Sequence, residues 1–239
     1  MNIAVVGCGK MGRMIEAVCA RREDVQIAGF VGRGGCASLD ELEEMDAALD
    51  FSHPDNLNGL LESAVRRKIP LVIGTTGFSD AQGEAIREAG RSIPIVWADN
   101  FSVGVTVLGR LAAEAARMLG GGFDMEIVET HHRCKADAPS GTAKMLLRRV
   151  DPGGAYAVLN GREGRSGARG REIGVHAVRG GTVAGEHRLY FFGPMEELEL
   201  RHRADSREIF ALGALRAAAF ATRAPNGLYD MDDVIFGGT

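Results

Sequence analysis

The sequence predicts an α/β protein. It begins with a parallel sheet covered by helices on both faces and continues into an α+β region with a mixed or antiparallel sheet. Three observations carry this reading. Short apolar runs alternate with amphipathic helical patterns over the first hundred residues, which is the signature of βαβ units. A Gly-x-Gly-x-x-Gly string joins the first run to the first helical pattern. Beyond Asn100 the strand patterns lengthen and no longer alternate with helices.

Strands are expected at residues 3–6, 25–30, 47–51, 70–73 and 93–97. Between them, Met11, Met14, Ile15, Val18 and Cys19 recur at helical spacing and would face a sheet. Helices are also expected at 54–67 and 79–91, with Ser79 as N-cap. Then come a long helix at 103–119, a strand at 123–128, a histidine-rich loop and a helix at 142–150. Strands follow at 172–178, 187–192 and 198–203. A final helix at 206–222 is rich in Ala, Leu and Phe, apolar enough to pack back on the first sheet. The expected domains are 1–102 and 103–205, with 206–239 returning to the first. Residues 160–171 are rich in Gly and Arg without apolar periodicity. They read as a solvated loop or as a basic flap over an anionic ligand.

Composition excludes several classes. With 45% hydrophobic and 25% charged residues, the chain is an ordinary globular protein long enough to bury a sizeable core. A net charge of −4 offers nothing global to nucleic acid or an anionic membrane. Met1 to Gly7 reads as a strand, not a signal peptide. No apolar stretch approaches the ~18 residues of a membrane span. The cysteines, Cys8, Cys19, Cys36 and Cys134, match no zinc spacing. No metal is expected, and reduced thiols in a cytoplasmic protein are. Cys134 lies between two basic residues, which can favour a thiolate.

Chemistry concentrates in Glu129-Thr130-His131-His132-Arg133-Cys134-Lys135-Ala136-Asp137-Ala138-Pro139-Ser140-Gly141-Thr142-Ala143. Histidine exchanges protons near neutral pH, and lysine supplies a cation. Ser140 is a good N-cap, leaving the N–H groups of Gly141, Thr142 and Ala143 to point outward. Such a helix start binds carboxylates. Together these suggest a site for a small acidic substrate, with His131 and Lys135 both able to supply a proton or a charge.

The string Gly7-Cys8-Gly9-Lys10-Met11-Gly12 follows a strand and opens a helix, the context of a dinucleotide fingerprint. An acid that would hold an NAD ribose is missing near the end of the second strand, where Phe30-Val31-Gly32-Arg33-Gly34-Gly35 offers only Arg33. Arginine there can meet a 2′-phosphate, which leans toward NADPH and leaves NADH open. Three further strand ends, Asp50-Phe51-Ser52-His53, Gly74-Thr75-Thr76-Gly77 and Ala98-Asp99-Asn100-Phe101-Ser102, would share the same sheet edge.

On these residues the chain resembles the dihydrodipicolinate reductase (4-hydroxy-tetrahydrodipicolinate reductase) family nearly end to end. Ile173-Gly174-Val175-His176, Arg179-Gly180-Gly181 and Gly185-Glu186-His187 match as well. The resemblance implies a Rossmann-like nucleotide domain and a mixed-sheet domain that binds substrate and builds a homotetramer. It implies that His131 gives or takes a proton, that Lys135 binds substrate and donates a proton, and that His132, Gly141 and Thr142 hold the substrate. It implies cofactor contacts from Gly7 to Gly12, from Gly74, Thr75 and Thr76, and from Ala98, Asp99, Asn100 and Phe101. The activity implied is NADPH- or NADH-dependent reduction of a small cyclic dicarboxylate in lysine and diaminopimelate synthesis. The chain departs from the family pattern in a glycine turn one residue shorter than in many members and in the missing acid. A reductase of another small imino or keto acid, and a non-catalytic nucleotide sensor, are the competing readings.

Overall fold

Each strand expected in the first hundred residues forms, because each is a short apolar run flanked by turn residues. A computed structural model describes residues 1–237, and these divide into two units: Met1–Val103 together with the chain from Arg207, and Gly104–Ser206. In the first unit, β1 (Asn2–Val6), β2 (Gln26–Val31), β3 (Ala47–Asp50), β4 (Leu71–Ile73), β5 (Pro94–Trp97) and β11 (Gly227–Tyr229) make one sheet. Its order is β11-β5-β4-β3-β1-β2, and every pairing is parallel.

Strand alternation divides the core. Ile3, Val5, Leu49, Val72 and Val96 meet α1 (Lys10–Cys19) and α6 (Glu208–Ala221) on one face. Ala4, Val6, Ala48, Leu71, Ile73 and Ile95 meet α2 (Leu57–Arg67) and α3 (Asp80–Ala89) on the other. A sheet buried on both faces explains the continuous apolar runs. Ser79 caps α3 in a reciprocal capping box with Gln82.

Three departures from the sequence reading concern this unit. Between β2 and β3 only a 3-10 turn forms, Leu39–Glu41, because the glycines at 32, 34 and 35 interrupt any helical pattern. Residues 54–56 are also a 3-10 turn leading into α2. The C-terminal segment is not a single helix, since β11 and α7 (Met231–Phe236) follow α6. β11 has three residues, too few to show a periodicity. Gly238 and Thr239, which end the expected segment, lie outside the described residues.

The second unit holds β6 (Asp124–His131), β7 (Ala157–Leu159), β8 (Glu172–Arg179), β9 (Gly185–Gly193) and β10 (Glu196–Ala204), in the order β10-β9-β6-β8-β7. The sheet is mixed, with β6 parallel to β8 and antiparallel to β9. α4 (Val103–Leu119) and α5 (Gly141–Val150) cover the face made by Met125, Ile127, Ile173, Val175, Leu189 and Phe191. On the opposite face Val178 and Phe192 are exposed, and Tyr190 stacks on Phe192.

The Gly- and Arg-rich segment is a mostly exposed loop with three of its arginines engaged. Arg162 pairs with Glu126 at 2.8 Å and Glu172 at 2.7 Å. Arg169 pairs with Glu126 and Asp124 and donates to the carbonyls of Met125 and Glu172. Arg171 lies over the Tyr156 ring. The segment is thus fastened to β6 and β8. Burial raises the proton affinity of Glu126, but hydrogen bonds from Arg162, His176 and Arg169 outweigh it and hold the carboxyl at about 2.

α6 sits directly on backbone at Gly213, where an added Cβ would lie 1.6 Å from the Phe101 carbonyl oxygen. In an open helix Gly→Ala stabilises by ~1 kcal/mol. Here Gly213→Ala should reverse that sign and destabilise by about 1–3 kcal/mol through overpacking. Urea unfolding checks this, and a stabilised variant would contradict the packing described.

Candidate active site

The parallel sheet of the first unit brings the carboxyl ends of β1 to β5 to one edge, where open α/β sheets bind ligands. The glycine turn there has the three properties a pyrophosphate site needs. Gly7 has φ +103°, and its N–H donates to Val31 O at 2.9 Å. Gly9 caps α1, and a Cβ there would meet nothing within 4 Å. A Cβ at Gly12 would strike the Gly7 carbonyl at 2.0 Å. The open cradle over Gly9, at a helix start, fits a dinucleotide pyrophosphate. Cys8 is half-buried, Lys10 is exposed, and Met11 packs on the core.

Arg33 is exposed in the turn after β2, which is closed by Gly35 N–H donating to Gly32 O at 2.9 Å. The other predicted cofactor residues are more divided. The Thr75 side chain is buried and accepts the Ser52 N–H at 2.8 Å, so its hydroxyl ties strand ends together. Asp50, buried beside it, accepts from the Ser52 hydroxyl at 2.6 Å. Burial pushes the Asp50 carboxyl up, against hydrogen bonds from Ser52 and Thr75. Phe101 is core, edge-on to Phe51 at 5.6 Å. Asn100 accepts the Ser102 N–H at 2.8 Å. Gly74 lies hard against the Phe51 ring, and Ala98 packs on the same core. Thr76 and Asp99 are exposed and line a cleft of about 420 Å³ floored by Trp97.

The second unit holds the acid–base cluster. β6 runs three residues further than the sequence pattern showed, so His131 is its last residue and not part of the following loop. Glu129, two residues earlier, shares the inward face. Glu129 is wholly buried and accepts from Arg179 at 2.9 and 2.8 Å, from the Ser140 N–H at 3.0 Å, and bonds His131 Nδ1. Ser140 Oγ accepts the Ala143 N–H at 3.1 Å and meets His187 Nε2 at 3.1 Å. The His187 and His131 rings meet edge to face at 5.1 Å.

Burial raises Glu129's proton affinity, but Arg179, His131 and Ser140 outweigh it and hold the carboxyl below the ordinary range. Burial lowers His131 more than Glu129 raises it, with Lys135 and Arg179 adding to the fall. Burial and the neighbouring His131 push His187 down to about 3, so it is neutral at pH 7. Ligand-type atoms of Glu129, His131 and His187 lie within 4.8 Å of one another. Both Glu129 oxygens are already engaged by Arg179, so the cluster is a hydrogen-bonded one.

Lys135 follows in a tight turn, its N–H donating to His132 O at 3.1 Å. Its Nζ pairs with Asp137 at 2.8 Å, and only 22% of the side chain is exposed. His132 and Thr142 are half-buried and Gly141 is exposed. The cradle at α5 is narrower than the sequence suggested, because Ser140 takes the Ala143 N–H. A Cβ at Gly141 would meet nothing within 4 Å, so ligand can approach backbone there. Sequence reasoning did not single out Glu129, Asp137 or His187 as site residues. The signal for Glu129 was its i, i+2 spacing from His131 on a strand.

A glycine turn of the dinucleotide type in one unit, and buried ionisable groups beside a capped helix start in the other, are features expected of a nicotinamide-dependent reductase of a small acid. The family models described as dihydrodipicolinate reductase, N-terminus and C-terminus, match residues 1–101 and 104–235. The chain is similar to 4-hydroxy-tetrahydrodipicolinate reductase of Akkermansia muciniphila, 43% identical over 98% of each chain. It is also similar to that of Clostridium tetani, 38% identical over 97% of this chain and 96% of the other. Among solved structures, a dipicolinate-bound dihydrodipicolinate reductase from Paenisporosarcina sp. TG-14 superposes with TM-score 0.79 at 23% identity, covering 99% of each chain. This chain belongs to the dihydrodipicolinate reductase family.

Removing Arg179 tests the electrostatics. Arg179→Met should cost about 3–5 kcal/mol at neutral pH, because it leaves a buried carboxylate uncompensated. In the native protein Glu129 lies below its ordinary 4.5, so its stabilising effect is full above that value and is lost as pH falls through the depressed one. In the variant burial dominates and the carboxyl rises, so the penalty should shrink on acidification. Urea unfolding of both proteins at about pH 8 and about pH 5 measures this. An equal gap at both would contradict it.

Proposed function

We infer that this chain reduces 4-hydroxy-tetrahydrodipicolinate to tetrahydrodipicolinate with NADPH or NADH, a step in diaminopimelate and lysine synthesis. The observation that carries the reading is the stretch from Glu129 to Ala143. It folds as an acid–base cluster leading into a capped helix start, in a chain that matches the family over both units. The competing reading as another imino- or keto-acid reductase would require a different carboxylate cradle, and Ser140-Gly141-Thr142 is intact. The test is NADPH oxidation followed by absorbance, with freshly made product of dihydrodipicolinate synthase as substrate. Absence of oxidation would overturn the reading.

In this reading one substrate carboxylate rests on the start of α5 at Gly141 and Thr142, where aligned N–H groups favour an anion. Lys135 and His132 hold the ring or the second carboxylate. The nicotinamide supplies hydride when bound. As the ring takes up hydride, negative charge develops that a nearby cation and a proton relieve. Lys135, drawn in beside Asp137, suits the cation, and His131 suits proton exchange. Gly7 to Gly12 cradle the pyrophosphate, and Gly74 to Thr76 with Ala98 to Phe101 line the rest of the cofactor.

The exposed sheet face with Val178, Tyr190 and Phe192 supports assembly into a homotetramer. The cytoplasm is the proposed location. It is consistent with four free cysteines, and among the described residues no helix is long and apolar enough to cross a membrane.

Lys135→Ala should lower kcat by a factor on the order of 10² or more, the scale of a proton-transfer or charge-stabilising group. KM for NADPH should hardly move. Near-normal turnover would remove Lys135 from the chemistry.

For the cofactor, both nucleotides should work, with NADPH at least as good as NADH. Arg33, among the described residues, makes no ion pair and can meet a 2′-phosphate. Arg33→Asp should reduce kcat/KM with NADPH much more than with NADH. Equal losses would show that Arg33 does not read the phosphate.

A further inference from the structure

Glu129 touches no solvent and is not itself placed to meet substrate, yet four hydrogen bonds converge on it. Three of them fix its state. The Arg179 guanidinium and the Ser140 N–H can only donate. The bidentate guanidinium sets a full positive charge against both carboxylate oxygens, which holds Glu129 in its ionised form, able only to accept. The hydrogen between Glu129 Oε2 and His131 Nδ1 must then sit on Nδ1. A neutral imidazole carries one N–H, so Nε2 is left as a bare lone pair. The charged and titratable groups around His131 come from every neighbouring element: Glu129 on its own strand, Arg179 on β8, His187 on β9 and Lys135 on the loop. Of these only Glu129 favours a second proton on the ring, and burial opposes it.

The neighbour of Nε2 is also constrained. A Cβ at Gly185 would stand 3.1 Å from Nε2. Residue 185 is paired in the sheet at the start of β9, so a side chain there would crowd this nitrogen, and glycine leaves it room.

We propose that Glu129 is a positioning residue that locks His131 in the Nδ1–H tautomer, so that the resting enzyme presents Nε2 to the substrate as a proton acceptor. On this account His131 donates at Nε2 only after taking up a further proton, and Lys135 is the resting donor. The catalytic meaning rests on the reductase reading, whereas the tautomer does not.

The experiment is a long-range 1H–15N correlation on the full chain with 15N-labelled histidine, near neutral pH and without ligand. The expected result for His131 is a pyrrole-type Nδ1 and a pyridine-type Nε2. A pyrrole-type Nε2 in the native protein would overturn the proposal and needs no variant to fold. In Glu129→Gln the tautomer should no longer be held, and the ring should titrate lower still. kcat should fall by on the order of 10-fold or more, with KM for NADPH unchanged. A folded Glu129→Gln that keeps both the Nδ1–H tautomer and normal turnover would also overturn it. A native protein with the expected tautomer but no NADPH oxidation would instead overturn the reductase reading.

Discussion

The pairing of Arg179 with Glu129 is the interaction on which the second unit's site depends. A carboxylate with no solvent contact is costly unless its charge is met and its lone pairs are filled. Arg179 does both, and sheet register brings it there. β6 and β8 are parallel, with His131 opposite Arg179, so the guanidinium reaches back two residues to Glu129. The same guanidinium donates to the Asp137 carbonyl at 2.7 Å. The Glu129 carboxylate also takes the Ser140 N–H, which fixes where α5 begins, and Ser140 in turn meets His187. One buried charge pair therefore sets a ring orientation, a loop path and a helix start.

This polar cluster continues an apolar face. Met125 and Ile127 on β6, and Leu189 and Phe191 on β9, face the core. Further along the same faces come Glu129, His131 and His187, buried in the same way. A rigid packed sheet thus ends in titratable groups whose proton affinities are set by burial first and by specific partners second. The nucleotide-type edge of the first unit works differently. It relies on backbone, through a glycine turn that only small residues can form and a helix start left open above it.

The parallel sheet, its helices and the glycine turn were legible in the sequence because each rests on a local pattern. The histidine-rich stretch was legible because several chemically capable residues crowd a short segment. What was not legible depends on contacts distant in sequence. The extension of β6 through His131 is set by pairing with β8 and β9, since Thr130-His131 has no strand signature alone. Arg179 and His187 lie 50 and 58 residues beyond Glu129, and only sheet register brings them to it. The loop of residues 160–171 looked free because the acids that hold Arg162 and Arg169 sit on strands. That the Thr75 side chain ties strand ends and the Phe101 ring fills the core was not legible either, because both depend on the distant Ser52 and Phe51. The short β11 follows Pro225 and Asn226 and has no periodicity to read.

The central claim is that Glu129 is ionised while buried, held so by Arg179. The most direct measurement is the 13C resonance of the Glu129 side-chain carboxyl followed through an acid titration of the native protein. An ionised carboxylate persisting well below the ordinary glutamate value of 4.5 is the predicted result. A carboxyl that takes up its proton above that value would contradict the account, because burial would then have outweighed Arg179.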